Sequence, residues 1–383
     1  MTLADLQSNE ELRQFEFPVT RDKIYLGHAG VSPLPRRVHE AINRYTTGST
    51  LNDQEFVLHS TWLRETRQFA ANFIGAKTEE IAFIGPTSLA LSFIAEGLIF
   101  RKNHNLLVYH DDYPSNVYPW MTLAGRGVEV RFLNVREYGC IRPRDIVGQV
   151  DENTRLVALA SCHFLASYRI DLDEIGQALR SRGILFCVDA IQTLGAFPTR
   201  VTSVDFLASD AHKWLLGPCA AGLMFVRQEV QSQLRPVTHG WHNINSPNYV
   251  TQDDLSYKPD ARRYEAGSHN LLGIVGLRAA LELLDEIGME EIGRDLLRKR
   301  SWFVPALEEK GYTVLNASAS VANCGGMVTF YKAGASMAEI HSSLEQNKIF
   351  TSLRADRKKQ SYIRLAPHFY NTDSELKSVL EHL

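Results

Sequence analysis

A lysine attacks a carbonyl carbon only while its amine is neutral, and burial between apolar elements is one way to make it so. Lys213 lies in Val204-Asp205-Phe206-Leu207-Ala208-Ser209-Asp210-Ala211-His212-Lys213-Trp214, where an apolar run with strand character (Val204 to Ala208) stops at small and polar residues. A second buried strand, Ala220 to Val226, follows. An amine held between such strands is desolvated, and its pKa falls. The competing reading is a lysine whose stem covers apolar surface while its head reaches water. Upstream, the apolar run Ile184 to Val188 ends at Asp189, followed by Ala190-Ile191-Gln192. A carboxylate at the carboxyl end of a buried strand stands where α/β sheets bind ligands.

Pyridoxal phosphate (PLP) chemistry needs both groups: a Schiff-base lysine, and an acid that keeps the pyridine nitrogen protonated so that the ring can accept electrons. Val188-Asp189-Ala190-Ile191-Gln192 together with Ser209-Asp210-Ala211-His212-Lys213-Trp214-Leu215-Leu216-Gly217-Pro218 resembles the class V aminotransferase family. These fold-type I PLP-dependent enzymes include cysteine desulfurases, kynureninases and isopenicillin N epimerase-like proteins. The likeness runs from about Tyr25 to the C-terminus. It implies an α/β fold with a large PLP-binding domain, a mainly parallel sheet between helices, and a small C-terminal α+β domain. By the same resemblance Lys213 carries the cofactor and Asp189 pairs with its ring nitrogen. Gln192 hydrogen-bonds its phenolic oxygen, Ser209 and His212 help hold its phosphate, and Asp210 is a further pocket member. Lys213, once displaced, is the natural acid and base at the substrate Cα.

The elements that must position these groups follow in order. Residues 1–20 read as a short helix and an extended lead-in packing on the small domain, residues 21–262 as the large domain, and residues 263–383 as a long helix and the small domain. Tyr25 to Pro35 is strand-like, then a small-residue turn, then a helix begun by proline. Within it His28 is a substrate-side candidate by resemblance, set against a surface-loop histidine. Ile81 to Ile84 is a short strand followed by Gly85-Pro86-Thr87-Ser88 and an apolar helix. Free N–H groups and the helix dipole make such a turn a phosphate cradle; the alternative is ordinary capping by Thr87 or Ser88. The resemblance puts the PLP phosphate there.

Asn105 to Tyr109 forms the next strand and runs into Tyr113-Pro114-Ser115-Asn116, which is similar to a kynureninase-like Phe-Pro-Thr-Asp. Tyr113 would stack on the ring, with Asn116 as a polar neighbour, unless Tyr113 is core packing. His163, after the strand Leu156 to Ala160, is a pocket-lining candidate without a catalytic role. Strands alternating with helices through Val226 give a parallel sheet covered on both faces. The turn Arg263 to Asn270 precedes a helix from Leu271. In the family this turn reaches the partner's phosphate, which makes Ser268 a cofactor-binding candidate and implies a homodimer; otherwise Ser268 is a helix cap. Arg364, in the strand-like run Tyr362 to Ala366, needs an anion. A guanidinium clamps an amino-acid carboxylate in two-point fashion, with a structural salt bridge as the alternative.

Composition bounds the rest. The 383 residues suit two domains, and 44% hydrophobic with 22% charged residues is ordinary for a globular chain. A net charge of −3 gives no electrostatic reason for nucleic acid or an anionic membrane as partner. No apolar run approaches the ~20 residues of a membrane span, and the start lacks a signal-peptide pattern. Five scattered cysteines and thirteen histidines form no CxxC, HExxH or Cys/His cluster, so no metal site is expected and a reducing cytoplasm fits.

Desulfurases of this family place a nucleophilic cysteine in the loop before the carboxylate-binding arginine. Here that loop, Leu353 to Ser361, has none. The reading is therefore an aminotransferase acting on an α-amino acid, ahead of an epimerase or a C–C or C–S lyase. A doubly wound protein binding another phosphate ligand is the non-enzyme alternative.

Overall fold

The computed structural model describes all 383 residues. A seven-stranded sheet runs in the order Ile81–Phe83, Gly222–Val226, Phe206–Asp210, Leu185–Asp189, Thr154–Ala160, Asn105–Val108, Glu129–Phe132. From Phe206–Asp210 to Glu129–Phe132 all neighbours are parallel, whereas Gly222–Val226 is antiparallel to the strands on both its sides. The reversal removes the need for a crossover helix between residues 210 and 222. It leaves a tight loop, and that loop carries Lys213.

The continuous apolar runs follow from burial on both faces. Val157, Leu159, Phe186, Val188 and Leu207 belong to one apolar cluster, while Leu156, Ala158, Leu185, Cys187 and Phe206 belong to another, so alternate residues feed opposite layers. The helix Leu271–Ile287 is capped by Asn270, whose side chain accepts from Gly273 N–H. It buries Leu277, Leu281 and Leu284 in the first of these clusters, so the core of the large sheet extends past residue 263.

A second sheet, all antiparallel, has the order Ser352–Ala355, Ser361–Leu365, Val328–Tyr331, Thr313–Val314. Its core is a separate cluster that includes Phe303, Leu307, Phe330 and Ile363, with the helix Met289–Glu309 across it. Leu26 joins that cluster from the other end of the chain, beside the parallel pairing of Ile24–Tyr25 with Ile349–Phe350.

The N-terminus departs from the extended lead-in expected after a single helix. Two helices form, Leu3–Ser8 and Glu10–Glu16, because Thr2 makes a capping box with Asp5 and Asn9 caps the second by accepting from Leu12 N–H. Leu3, Leu6 and Phe17 join the large cluster, Arg13 pairs with Glu375 at 2.8 Å, and the Phe17 ring stacks on Tyr370 with centroids 4.0 Å apart. No helix is long and apolar enough to cross a membrane.

Candidate active site

The carboxyl ends of the parallel strands and the inner edge of the C-terminal sheet enclose a cavity of about 250 Å³. Thr87, Ser88, His212 and Lys213 line it from the large sheet, together with Tyr113, Asp189 and Gln192. Arg354 and Arg364 line it from the C-terminal sheet.

The Lys213 loop is braced on all sides. Ser32 donates its hydroxyl to the Lys213 carbonyl at 2.6 Å and its N–H to the His212 carbonyl at 2.7 Å, and Leu216 N–H closes a turn on Lys213 at 3.0 Å. The Trp214 carbonyl packs so close to Gly195 that a Cβ there would sit 2.3 Å from it, so only glycine fits. Trp214 in turn donates its indole N–H to Gln192 Oε1 at 2.8 Å. An indole N–H can only donate, so this contact fixes the amide: Oε1 faces Trp214 and the NH₂ is left as donor. One of its hydrogens goes to the Ala29 carbonyl at 3.2 Å. The other is available to an acceptor in the cavity.

Burial sets the charges. Lys213 is 7% exposed, and desolvation brings its amine down to about 8; nearby Asp189 opposes the fall, while Arg364 and Arg354 add to it. Burial raises Asp189, the nearby Asp112 carboxylate raises it further, and the Ile191 N–H on Oδ1 at 3.0 Å acts against both. Arg364 is buried with a single hydrogen bond, from Nη1 to the Phe164 carbonyl at 2.6 Å, and its Nε has no partner. Desolvation, and then the neighbouring Arg354, push it down to about 9. A guanidinium with an orphaned N–H beside a cavity is built for an anion that comes from outside.

Other predicted residues lie elsewhere. His28 is not on a surface loop. It is fully buried, with Nδ1 2.7 Å from the Ala366 carbonyl and Nε2 2.7 Å from the Tyr370 hydroxyl, and desolvation lowers it to about 4. It stands behind the cavity wall formed by Ala29 and Gly30. Asn116 is also buried off the wall: it donates to Asp112 at 3.0 Å and accepts from Trp120 at 3.3 Å. His163 accepts the Ala166 N–H at 2.9 Å on Nδ1 and donates from Nε2 to the Asp111 carbonyl at 3.0 Å. Both of its ring nitrogens are therefore spent on local structure.

Ser209 keeps its hydroxyl on the Asp210 carbonyl at 3.3 Å, and Asp210 stands behind His212, whose Nδ1 lies 2.5 Å from its carboxylate. Neither Ser209 nor Asp210 lines the cavity. Ser268 is exposed and borders a different cavity, between Phe83, Ala220 and Asn270. From its own chain it does not line the Lys213 cavity.

Two groups escaped the sequence reading. Asp112 is buried and raised to about 6 by desolvation, although Tyr113 N–H, the Asn116 amide and Ala160 N–H all donate to it. Its position just past the strand Asn105–Val108 was the available signal. Arg354 pairs across its hairpin with Tyr362, as Ser352 does with Arg364, so Arg354 and Arg364 share one face of the sheet. That period-two relation was the signal for it. The one cluster with metal-ligand spacing, His242, Glu265 and His269, is already committed: Arg67 binds the Glu265 carboxylate at 2.5 and 2.9 Å, and Phe83 N–H adds a third donor.

The arrangement offers a partly neutral amine, a buried carboxylate, a fixed amide donor, a helix start with two hydroxyls, an aromatic face and an orphaned guanidinium. Lys213 Nζ lies 5.1 Å from the centre of the Tyr113 ring. That donor set fits a flat, phosphorylated aldehyde with a basic ring nitrogen.

The family described as Aminotransferase class-V matches residues 24–379. A probable cysteine desulfurase of Methanothermobacter thermautotrophicus is 33% identical over 290 residues, 74% of this chain and 72% of that protein. An uncharacterized aminotransferase, YcbU, of Bacillus subtilis is 28% identical over 385 residues, 98% of this chain and 97% of that protein. Among solved structures, the apo cysteine desulfurase of Thermococcus onnurineus NA1 superimposes with a TM-score of 0.88 at 25% identity, over 97% of this chain and 96% of the other. The cystine C-S lyase C-DES shares the fold, with a TM-score of 0.85 at 20% identity over 95% of this chain and 98% of that one.

Proposed function

The chain belongs to the class V aminotransferase family of PLP-dependent enzymes, and from that premise we propose that it moves the amino group of an α-amino acid by chemistry at Lys213. The observation that carries this is the meeting of Lys213, Asp189 and Arg364 on one small cavity, with the amine lowered by burial and the guanidinium left incomplete.

PLP, when bound, supplies the electron sink that lets a bond at the substrate Cα break. Every other requirement falls to this chain. Asp189 holds the proton on the ring nitrogen, and Gln192 donates its remaining N–H to the phenolic oxygen. Thr87, Ser88 and His212 take the phosphate, with the helix Thr87–Gly97 adding its N-terminal field. Tyr113 covers the ring. Arg364 completes its hydrogen bonding on the substrate carboxylate, which fixes the Cα hydrogen relative to Lys213. Lys213 would hold the cofactor between turnovers, and during turnover its freed amine would be placed to take the proton from the substrate Cα and carry it as the acid for reprotonation.

A second reading has support in the comparisons, since several relatives bear the name cysteine desulfurase. Against the usual persulfide route, the loop Leu353 to Ser361 has no cysteine, and none of Cys140, Cys162, Cys187, Cys219 and Cys324 lines the cavity. The test is a panel of amino acids read by the visible spectrum, followed by product analysis. Transamination predicts stoichiometric exchange with an added 2-oxo acid. Racemised substrate without an acceptor would shift the assignment to an epimerase, and sulfide or a side-chain fragment to a lyase.

The exposed Ser268 turn supports a homodimer in which each copy completes the other's phosphate site, and five free cysteines suit the cytoplasm. Sedimentation at micromolar concentration tests the first.

A further inference from the structure

Asp210 is a buried acid that the reading above leaves without a task. It ends the strand Phe206–Asp210, is 2% exposed, and lies behind the cavity wall. Two of the wall's polar groups use it. Its backbone N–H donates to the Thr87 hydroxyl oxygen at 2.9 Å, and its carboxylate Oδ2 takes the His212 Nδ1–H at 2.5 Å and the Ala220 N–H at 3.0 Å.

Each contact has a consequence for hydrogen-bond polarity. The Thr87 oxygen accepts this one bond and its hydroxyl makes no other, so its hydroxyl hydrogen is free to donate. The His212 Nδ1 is likewise occupied, which leaves Nε2 as the imidazole atom without a protein partner on a side chain that lines the cavity. The carboxylate is also held in place from behind. A Cβ on Gly85 would come within 2.9 Å of Asp210 Oδ1 and 2.7 Å of the Ala220 carbonyl carbon, so the turn before the helix Thr87–Gly97 packs directly on it. Asp210 thus ties together the strand end, the helix start, the lysine loop and the turn at Ala220.

We propose that Asp210 is a positioning residue for the cofactor's phosphate: its carboxylate turns His212 Nε2, a donor when the imidazole carries both hydrogens, and its backbone turns the Thr87 hydroxyl toward the anion, without touching it. The inference rests on the PLP reading, and the charged groups around His212 are Asp210 and Lys213 on its own segment, Asp189 on the neighbouring strand, and Arg354 and Arg364 across the cavity.

The test compares two aldehydes on stripped protein, PLP and pyridoxal, which lacks the phosphate. Asp210→Ala is expected to weaken PLP about 10-fold or more, the scale of a hydrogen bond to a charged group, and to leave pyridoxal within about 2-fold. Equal loss for both aldehydes would show a general structural role and overturn the proposal. Should Asp210→Ala fail to fold, the cycle of Asp210→Asn with His212→Ala decides instead. The asparagine change must cost PLP affinity in the parent and little once His212 is gone; the same cost in both backgrounds overturns the proposal. A parent protein that binds neither aldehyde would bring down the cofactor reading itself, and this inference with it.

Discussion

The large sheet and the C-terminal sheet each supply polar groups to one cavity, yet they supply them in different states. On the large-sheet side Thr87, His212, Asp210 and Gln192 already hold one another or their neighbours, at distances from 2.5 to 3.2 Å. On the C-terminal side Arg364 has one protein bond and an orphaned Nε, with Arg354 as a second positive charge nearby. Most of the first wall's hydrogen bonds are made before any ligand arrives, with Asp210 Oδ1, the Thr87 hydroxyl hydrogen and His212 Nε2 left over, and the bonds already made stabilise the fold. The second is a buried charge waiting for its partner, and it costs stability until an anion completes it. Cofactor and substrate would thus meet a rigid surface and an unfinished one.

Substitutions break or sharpen that contrast. The largest effect belongs to neither wall but to the group between them: Lys213→Ala should lower turnover by about 10³-fold or more and abolish the borohydride-sensitive visible band, checked by steady-state assay and spectrum. Retained turnover would remove the basis for the whole site. Next, Arg364→Met should weaken the substrate about 10- to 100-fold, measured as KM or as a spectral titration. The same variant, stripped of ligand, should melt about 2 °C higher than the parent, because a half-satisfied charge has gone. Thr87→Ala should instead melt lower. Matching signs for these two would erase the distinction between the walls.

The pH dependence is subtler. The amine of Lys213 is lowered from the ordinary 10.5 to about 8 in the folded chain, so between those values the unfolded chain binds the extra proton. Its contribution is present above pH 10.5 and is lost as pH falls through about 8. Unliganded parent should therefore gain stability relative to Lys213→Met as pH rises from about 8 toward 10.5, read by denaturant melts at each pH. A flat difference would mean that the amine is hydrated. Smallest of all, Ser88→Ala should weaken PLP about 3-fold, the worth of one modest hydrogen bond, with the unliganded melting point unchanged.

What the sequence showed depended on how local the signal was. The strand ending at Asp189 and the strand that leads into the Lys213 loop were legible because burial on both faces writes uninterrupted apolar runs that stop abruptly. Thr87 and Ser88 were legible because a short strand, a Gly-Pro turn and an apolar helix follow in one stretch. His28 misled because its partners, Ala366 and Tyr370, lie at the far end of the chain, where no local pattern reaches. Arg354 was passed over since only its register with Tyr362, fixed by hairpin pairing, puts it on the face of Arg364. At the N-terminus residues 1–20 read as one short helix and a lead-in, although the Asn9 side chain begins a second helix.

The parallel pairing of Ile24–Tyr25 with Ile349–Phe350 bears on how the molecule is made. A chain leaving the ribosome can assemble the large sheet, with Lys213 on it, well before residue 349 has been synthesised. The first strand must wait beside it, unpaired, until the last quarter of the chain arrives to close so long a loop. During that interval Phe17 lacks Phe369 and Tyr370, and Arg364 does not yet exist. A nascent chain stalled short of its end would therefore expose the Lys213 side of the cavity without Arg364, and losing the C-terminal segment would leave the first strand with no edge to join.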